Sequence, residues 1–202
     1  MTWYIVDGMD GSGKSSAAEA LKDMLESDGR RVFIVTHPDQ GCWFGRAEAR
    51  FLKIPGKPSE IIATVLYILD AVQSVMRMRT SRGRYDDFIF VRYIMAVAYL
   101  PDGIYRKAYG IIERILPMPD VRIMVDVDAD TAFDRIESRG EDREIFETRE
   151  KLRKTREKMI SLTRGWYIID NNGSLEDTIR QIGHVKDRVE NGDFTPETDD
   201  DA

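Results

Sequence analysis

The sequence YIVDGMDGSGKSS at positions 4–16 decides the fold of this 202-residue chain. It opens with an aromatic residue and two apolar β-branched residues, as in a buried strand, and a turn rich in glycine follows. Apolar residues at helical spacing then run from Ser16 to Leu25, and Gly29 is a typical helix stop. The segment therefore predicts a buried strand, a tight turn and a helix in direct succession.

Short apolar runs alternate with helical patterns along the rest of the chain. The predicted strands are 3–6, 32–35, 88–91, 121–127 and 166–169. The predicted helices after the first are 59–80, 104–116, 131–139, about 143–162 and 175–189. Strands that alternate with helices form a parallel sheet covered on both faces, and right-handed crossovers make that sheet doubly wound. We therefore predict an α/β fold with a doubly wound, five-stranded parallel sheet flanked by helices.

Length and composition fit one domain, which we place at residues 1–190. The segment 191–202 is acidic and lacks apolar periodicity, so we predict a disordered tail. The net charge of −6 disfavours binding to nucleic acid or to an anionic membrane. Cys42 is the only cysteine, and the sequence shows neither a signal-peptide pattern nor an apolar run of membrane-spanning length. We expect a cytoplasmic protein.

Residues 8–15, GMDGSGKS, match the pattern G-x-x-x-x-G-K-[ST]. Glycines at these positions let backbone N–H groups turn around an anion, and the positive end of the following helix points at it. Lys14 is expected to reach the β- and γ-phosphates of ATP, and the Ser15 hydroxyl is expected to bind Mg²⁺. A fortuitous glycine turn is the alternative, but the strand before it and the helix after it favour nucleotide binding. The predicted ATP-binding residues of this loop are Gly8, Met9, Asp10, Gly11, Ser12, Gly13, Lys14, Ser15 and Ser16.

Further segments carry a more specific pattern in chain order. They are THPD at 36–39, LYILDAVQ at 66–73, VRY at 91–93, VDVD at 125–128, RIESRGEDREIF at 135–146 and IDNNGS at 169–174. Together with the loop, these segments resemble the motifs of thymidylate kinases, a family of P-loop nucleoside monophosphate kinases, over about Trp3 to Arg180.

The resemblance implies a P-loop kinase architecture with a short lid at about 136–148. It also implies ATP- and Mg²⁺-dependent phosphorylation of a nucleoside monophosphate, first of all dTMP to dTDP. Members of the family commonly form homodimers through helices that flank the sheet. The helix at 59–80 would suit that contact, although its spacing fits burial in the chain's own core equally well.

The resemblance further implies roles for residues on the acceptor side. Arg92 would grip the acceptor phosphate and act in catalysis, and Asp10 would contact the acceptor's sugar hydroxyl. Tyr67 would stack on the base, although a core aromatic on an apolar helix face has the same pattern. Gln73 would hydrogen-bond the base or face solvent, and Arg50 would reach the acceptor phosphate.

Arginines of the lid are expected to supply positive charge for catalysis, because the variable positions of the glycine loop hold no arginine. Arg139 and Arg143 stand near Gly140, which lets a lid hinge, and we assign them to catalysis. The resemblance suggests that either Arg135 or Arg139 packs on adenine, and Arg135 and Asn171 are assigned to ATP. The alternative for these arginines is a solvated surface position.

The metal assignment rests on Ser15 and Asp7, although Asp7 could instead hydrogen-bond the backbone of its own loop. Two positions depart from the family pattern. Val91 stands where the family has an aspartate that helps to hold Mg²⁺, so either Asp7 or Asp126 compensates or catalysis is weak. Ala71 stands where the family has an arginine that recognises thymine.

These departures leave two alternatives to dTMP phosphorylation. One is a P-loop kinase for another nucleotide or a small phosphorylated metabolite, and the other is a nucleotide-binding protein with weakened catalysis. Some polar residues receive no role: Arg149 and Arg153 are interpreted as solvated partners of nearby glutamates. His37 and His184 lack metal-ligand spacing, so we expect no zinc site.

Overall fold

Five parallel strands form one sheet in the computed structural model, which describes residues 1–39, 41–51, 57–138 and 148–196. The strands are β1 (Thr2–Asp7), β2 (Val32–Thr36), β3 (Asp87–Val91), β4 (Val121–Asp126) and β5 (Tyr167–Asp170). Their order in the sheet is β2-β3-β1-β4-β5, and every neighbouring pair is parallel. The predicted α/β fold with a five-stranded parallel sheet is confirmed, and the end of each predicted strand shifts by no more than one residue.

Helices cover this sheet throughout the described part of the chain. The α-helices are α1 (Lys14–Ser27), α2 (Trp43–Phe51), α3 (Lys57–Thr80), α4 (Tyr105–Ile115), α5 (Ala129–Ser138), α6 (Arg149–Ile160) and α7 (Leu175–Glu190). A 3₁₀ helix, Met95–Tyr99, follows β3. This 3₁₀ helix and α2 were not predicted, because one is too short to show a period and the other contains Gly45. Of the helix predicted at 143–162, residues 143–147 lie outside the described residues, and α6 begins after Thr148, whose side chain caps it.

Both faces of the sheet are buried, and alternate residues of β1 point to opposite faces. Trp3 and Ile5 belong to one apolar cluster, which includes side chains of α3, α4 and α6. Tyr4 and Val6 belong to a second cluster, which includes side chains of α1 and α7. Burial on both faces explains why the strand sequences are almost wholly apolar, and it gives the doubly wound arrangement that the sequence predicts.

The register of β1 places the glycine turn at the centre of the carboxyl edge of the sheet. Val6 lies opposite Val91 of β3, and Asp7 lies opposite Met124 of β4. The chain leaves β1 toward β2 on one side and later crosses to β4 on the other side, so the strand order reverses at β1. Ligands of doubly wound sheets bind at such a reversal, outside the carboxyl ends of the strands.

The residues after α7 are partly fixed against the domain. The Arg188 side chain pairs with Asp193 at 2.6 Å, and the Tyr167 hydroxyl donates to the Asp193 carbonyl at 3.1 Å. The structure therefore differs from the predicted tail at its beginning, where a salt bridge and a hydrogen bond hold the backbone. Residues 197–202 of that tail lie outside the described residues.

The N-terminus of α7 provides a test of local stability. In its capping box the Ser174 hydroxyl accepts the Asp177 N–H at 3.1 Å, and the Asp177 carboxylate accepts the Ser174 N–H at 3.3 Å. We expect Ser174→Ala to lower the free energy of unfolding by about 1 kcal/mol, because a helix N–H loses its partner. Thermal unfolding should show the melting temperature falling by about 2–4 °C. Ser174→Asn, which can accept the same N–H, should restore most of that loss, and a Ser174→Ala protein as stable as wild type would contradict the expectation.

Candidate active site

The glycine loop between β1 and α1 has a backbone that only glycine allows at two positions. Gly11 and Gly13 have φ angles of +77° and +88°. A Cβ atom on Gly11 would lie 2.4 Å from the carbonyl oxygen of Ala132, and one on Gly13 would lie 2.3 Å from the Asn171 side chain. The loop is thus closely packed from behind, and α1 begins at Lys14 with its N-terminus directed into the loop.

Two residues assigned to ATP lie against this loop. Asn171 donates its side-chain N–H to the Ser12 carbonyl at 2.7 Å, and Thr178 donates to the Asn171 side-chain oxygen at 2.7 Å. The Arg135 guanidinium donates to the carbonyls of Asn171 at 3.0 Å and Gly11 at 3.5 Å. Both residues therefore border the loop, and their contacts to a nucleotide stay a prediction.

The carboxylate of Asp10 joins the two cations of the site. One of its oxygens accepts from Lys14 Nζ at 3.3 Å and also from the Arg92 guanidinium. Lys14 Nζ donates to the Met9 carbonyl as well, at 3.1 Å. Burial alone would raise the pKa of Asp10, but the charges of Arg92 and Lys14 and a bond from Tyr99 outweigh it and hold the pKa well below its ordinary value. Asp10 is therefore ionised between two cations that both suit phosphate.

Tyr99 is a site residue that the sequence reasoning missed. Its hydroxyl donates to the second oxygen of Asp10 at 2.7 Å and accepts the Asp10 N–H at 3.2 Å. Burial and the neighbouring Asp10 charge raise the pKa of Tyr99 well above its ordinary value, so the phenol stays protonated. Tyr99 lies in the unpredicted 3₁₀ helix, 89 residues from Asp10, and no local pattern marks it.

Arg92 directly follows β3 in a strained conformation. Its φ of +63° lies in the left-handed region, which costs a non-glycine residue about 1–2 kcal/mol. Its N–H donates to the Val6 carbonyl at 3.1 Å. The backbone thereby turns the guanidinium toward the glycine loop, where it reaches Asp10. Strain that is held by surrounding contacts is common at functional sites.

Asp7 is fully buried and is used by backbone N–H groups. One of its oxygens accepts from Gly8 at 3.2 Å, and the other accepts from Tyr93, Ile94 and Met95 at 3.0, 3.2 and 3.0 Å. Backbone hydrogen bonding is the alternative that the sequence left open for this carboxylate. Its assignment to the metal stays a prediction.

Residues assigned to the base lie on α3 but not on one face of it. Tyr67 is buried, and its hydroxyl donates to the Tyr93 carbonyl. Gln73 lies six residues farther, or about one and two-thirds turns, so it points away from Tyr67, and its buried Oε1 has no partner among the described residues. Ala71 is fully buried, and Arg50 is exposed at the end of α2. The base-binding and phosphate-binding assignments here stay predictions.

The proposed lid at about 136–148 is described only at its ends. Arg139 and Arg143 lie outside the described residues, so their catalytic assignment stays a prediction. Arg149 pairs with Asp130 at 2.6 Å and Asp134 at 2.7 Å, and its guanidinium lies 4.3 Å from the centre of the Phe133 ring. Among the described residues its ion-pair partners are aspartates of α5 and not the glutamates considered in the sequence analysis, because α5 and α6 pack side by side.

The residues near the loop fit a magnesium ion held largely by nucleotide oxygens. Ser15 is exposed in the first turn of α1. Asp126 is engaged by Arg156 through two bonds of 2.8 Å, and Val91 is buried in the apolar core. Magnesium in kinases commonly takes few protein ligands and completes its shell with phosphates and water, so the Ser15 hydroxyl is the side chain that suits it best here.

Asp39, Cys42 and Asp70 bring three potential metal-ligating atoms within 4.8 Å of one another. Both Asp70 oxygens already accept bonds, from the Asp39 N–H and the Cys42 thiol, each at 2.8 Å. Arg77 pairs with Asp39 at 2.6 Å. The group is therefore a hydrogen-bonded junction between α3 and the segment after β2, and it gives no support to a metal site.

Comparison with known proteins establishes the family. A sequence model of the family described as thymidylate kinase matches residues 6–182. The chain belongs to the thymidylate kinase family. This membership makes it a nucleoside monophosphate kinase, and it confirms the resemblance seen in the motifs of the sequence.

Relatives and a solved structure agree with this assignment. A probable thymidylate kinase of Pyrobaculum aerophilum is 30% identical over 197 residues, which cover 94% of this chain and 98% of that protein. A thymidylate kinase of Xanthomonas oryzae pv. oryzae is 27% identical over 207 residues, with 95% and 87% covered. The solved thymidylate kinase of Candida albicans superposes with a TM-score of 0.74 at 17% identity and covers 98% of this chain and 95% of its own, which confirms the P-loop kinase architecture.

Gly11→Ala and Gly29→Ala separate close packing from backbone strain. The two glycines have φ angles of +77° and +78°, but a Cβ on Gly29 would meet no atom within 4 Å. We expect Gly29→Ala to lower the free energy of unfolding by about 1–2 kcal/mol and to leave ATP affinity unchanged. Gly11→Ala should also weaken ATP binding by about tenfold or more, because the loop must move away from Ala132. Titration calorimetry measures the ATP affinity of each variant. Equal ATP affinities in the two variants would contradict the expectation.

Proposed function

We propose that the protein transfers the γ-phosphoryl group of ATP to a nucleoside monophosphate, and that dTMP is the acceptor it converts to dTDP. The observation that carries the proposal is the contact of Lys14 and Arg92 with one oxygen of Asp10. Family membership and the names of the relatives support the same reaction.

The two cations suit the two phosphate groups that must meet. Lys14 and the N-terminus of α1 bind the phosphates of ATP, and Arg92 binds the acceptor phosphate. An oxygen of the acceptor phosphate attacks the γ-phosphorus, and the bond from that phosphorus to the bridging oxygen of ADP breaks. Because both side chains reach the same carboxylate oxygen, they can hold donor and acceptor close together.

Asp10 orients the acceptor in this proposal. Phosphate oxygens take over the bonds of Lys14 and Arg92, and the carboxylate is then available to the sugar hydroxyl. Tyr99 continues to hold the other oxygen of Asp10, so the carboxylate keeps its position. A buried carboxylate beside the glycine loop would repel the phosphates of ATP. Its contact with the sugar hydroxyl of the acceptor explains why a carboxylate is present at this position.

The Ser15 hydroxyl would hold Mg²⁺ together with oxygens of ATP, and Asp7 fixes the start of the loop that leads into α1, where Ser15 lies. Bound Mg²⁺ neutralises part of the charge on the β- and γ-phosphates. Arg135 and Asn171 border the ATP side of the loop. Arg139 and Arg143 complete the positive charge from the lid, whose flanking helices are linked by Arg149.

The proposal extends to the domain, the cellular location and the oligomeric contact of the protein. Residues 1–190 form one kinase domain, and the protein works in the cytoplasm. No helix in the described ranges is long and apolar enough to cross a membrane. Ile68, Leu69 and Met76 are exposed on α3, and an apolar helix surface of this kind suits a homodimer contact.

ADP release with ATP and Mg²⁺ against a panel of nucleoside monophosphates tests the function. We expect turnover with dTMP to exceed turnover with every other acceptor. Lys14→Ala should lower kcat by about 10²–10³-fold, because a cation that faces the transferred phosphoryl group is lost. Binding of ATP without turnover on any acceptor would contradict the kinase proposal.

One observation favours an acceptor other than dTMP. Ala71 is fully buried and apolar at the position where the resemblance expects a base-reading arginine. Loss of such a contact weakens discrimination between bases, since no polar group is left unpaired when the wrong base binds. Turnover on another nucleotide above dTMP would assign the enzyme to that acceptor and leave the reaction type unchanged.

A further inference from the structure

The turn that carries Arg92 is held through three successive carbonyl groups. The Val91 carbonyl accepts the His37 backbone N–H at 3.0 Å, and the Arg92 carbonyl contacts His37 Nδ1 at 2.9 Å. The Tyr93 carbonyl accepts the Tyr67 hydroxyl. Each of these donors comes from the end of β2 or from α3, so the turn after β3 is fixed by the elements on the acceptor side.

His37 is the central link of this arrangement. It is 1% exposed, and its Nε2 lies 2.9 Å from the hydroxyl of Ser74, which is also buried on α3. A carbonyl oxygen can only accept, so Nδ1 carries the proton and Nε2 accepts from Ser74. Burial lowers the pKa of His37 from its ordinary 6.5, while the Asp70 charge and the bonds to the Arg92 and Val91 backbone oppose the change. The ring is therefore neutral at pH 7, with its proton on Nδ1.

We propose that His37 is a positioning residue for the acceptor phosphate, which it serves by holding the carbonyl of Arg92 and linking it to Ser74 on α3. The inference rests on the proposed function of Arg92. An arginine that must keep φ at +63° has no intrinsic preference for that conformation, so a bond to its carbonyl keeps the guanidinium directed at the site. The link also connects the phosphate end of the acceptor site with the helix that carries Tyr67.

Two amide variants distinguish the contribution of the bond made by Nδ1 from that of the bond made by Nε2. The side-chain amide of His37→Asn has the reach of Nδ1 and can donate to the Arg92 carbonyl, whereas that of His37→Gln has the reach of Nε2 and leaves the carbonyl without its donor. We expect His37→Gln to weaken dTMP binding by about tenfold and to raise the KM for dTMP by the same factor. His37→Asn should regain the part of that affinity that depends on the Arg92 carbonyl, and its remaining loss should match that of Ser74→Ala, since both variants lack the bond to Ser74.

The KM for ATP should change by less than about twofold in both variants, because Lys14 and the loop are untouched. His184→Gln is the matched control, since His184 is the only other histidine and is exposed on α7. Equal dTMP affinities of His37→Asn and His37→Gln would overturn the proposal, as would a parallel loss of ATP affinity. A wild-type protein that binds no dTMP would instead refute the proposed function, and this inference with it.

A spectroscopic measurement on the wild-type protein tests the geometry without catalysis. Long-range ¹H–¹⁵N spectra of the two imidazole side chains should show His37 as the neutral tautomer with the proton on Nδ1 at pH 7. A proton on Nε2 would overturn the proposal, because Nδ1 could not then donate to Arg92. If His37→Gln is too unstable to assay, Ser74→Ala removes only the far bond, and dTMP affinity should fall several-fold. Unchanged dTMP affinity in Ser74→Ala would overturn the link to α3.

Discussion

The geometry of the site depends on the hydrogen bonds that the buried carboxylate of Asp7 accepts. Asp7 ends β1, and it accepts N–H bonds from Gly8 and from three successive residues after Arg92. A buried carboxylate without partners would be very costly, and four backbone donors offset that cost. Since β1 and β3 are adjacent and in register, one side chain fixes the glycine loop and the Arg92 turn relative to each other. The relative positions of Lys14 and Arg92, the two cations proposed to bind phosphate, follow from these bonds.

The site is less negative than the chain as a whole. The protein has a net charge of −6, whereas at the glycine loop Lys14 and Arg92 balance the charges of Asp10 and Asp7. Buried ion pairs contribute little net stability, because desolvation consumes most of the attraction. Burial and the Arg92 charge lower the pKa of Lys14, whereas Asp10 and Asp7 oppose that shift. The arrangement is better explained by anion binding than by stability, since phosphate can replace a carboxylate as the partner of both cations.

The sequence predicted those features that a local pattern encodes. Apolar runs and glycine turns located the five strands and the loop, because burial on both faces leaves a continuous apolar signal. The partners of Asp10 depend on tertiary contacts, and neither Tyr99 nor the 3₁₀ helix that holds it has a local signature. His37 received no role because a search for metal-ligand spacing cannot detect a ring that bonds a carbonyl 55 residues away. For Asp7 the sequence allowed two interpretations, and the structure shows the backbone contacts of one of them.

The two departures from the family pattern lie at positions where this chain has a complete apolar core. Val91 and Ala71 are fully buried, and Val91 packs in the same cluster as Val6, while Ala71 packs in the same cluster as Val75. Valine and alanine bring no polar atom of their own into these clusters, so neither residue adds a buried charge that needs a partner. In the proposed function, Arg92 and Asp10 make the polar contacts to the acceptor. We infer that selection of the acceptor in the proposed reaction depends more on the position of Arg92 and on the shape of the site than on direct hydrogen bonds to the base.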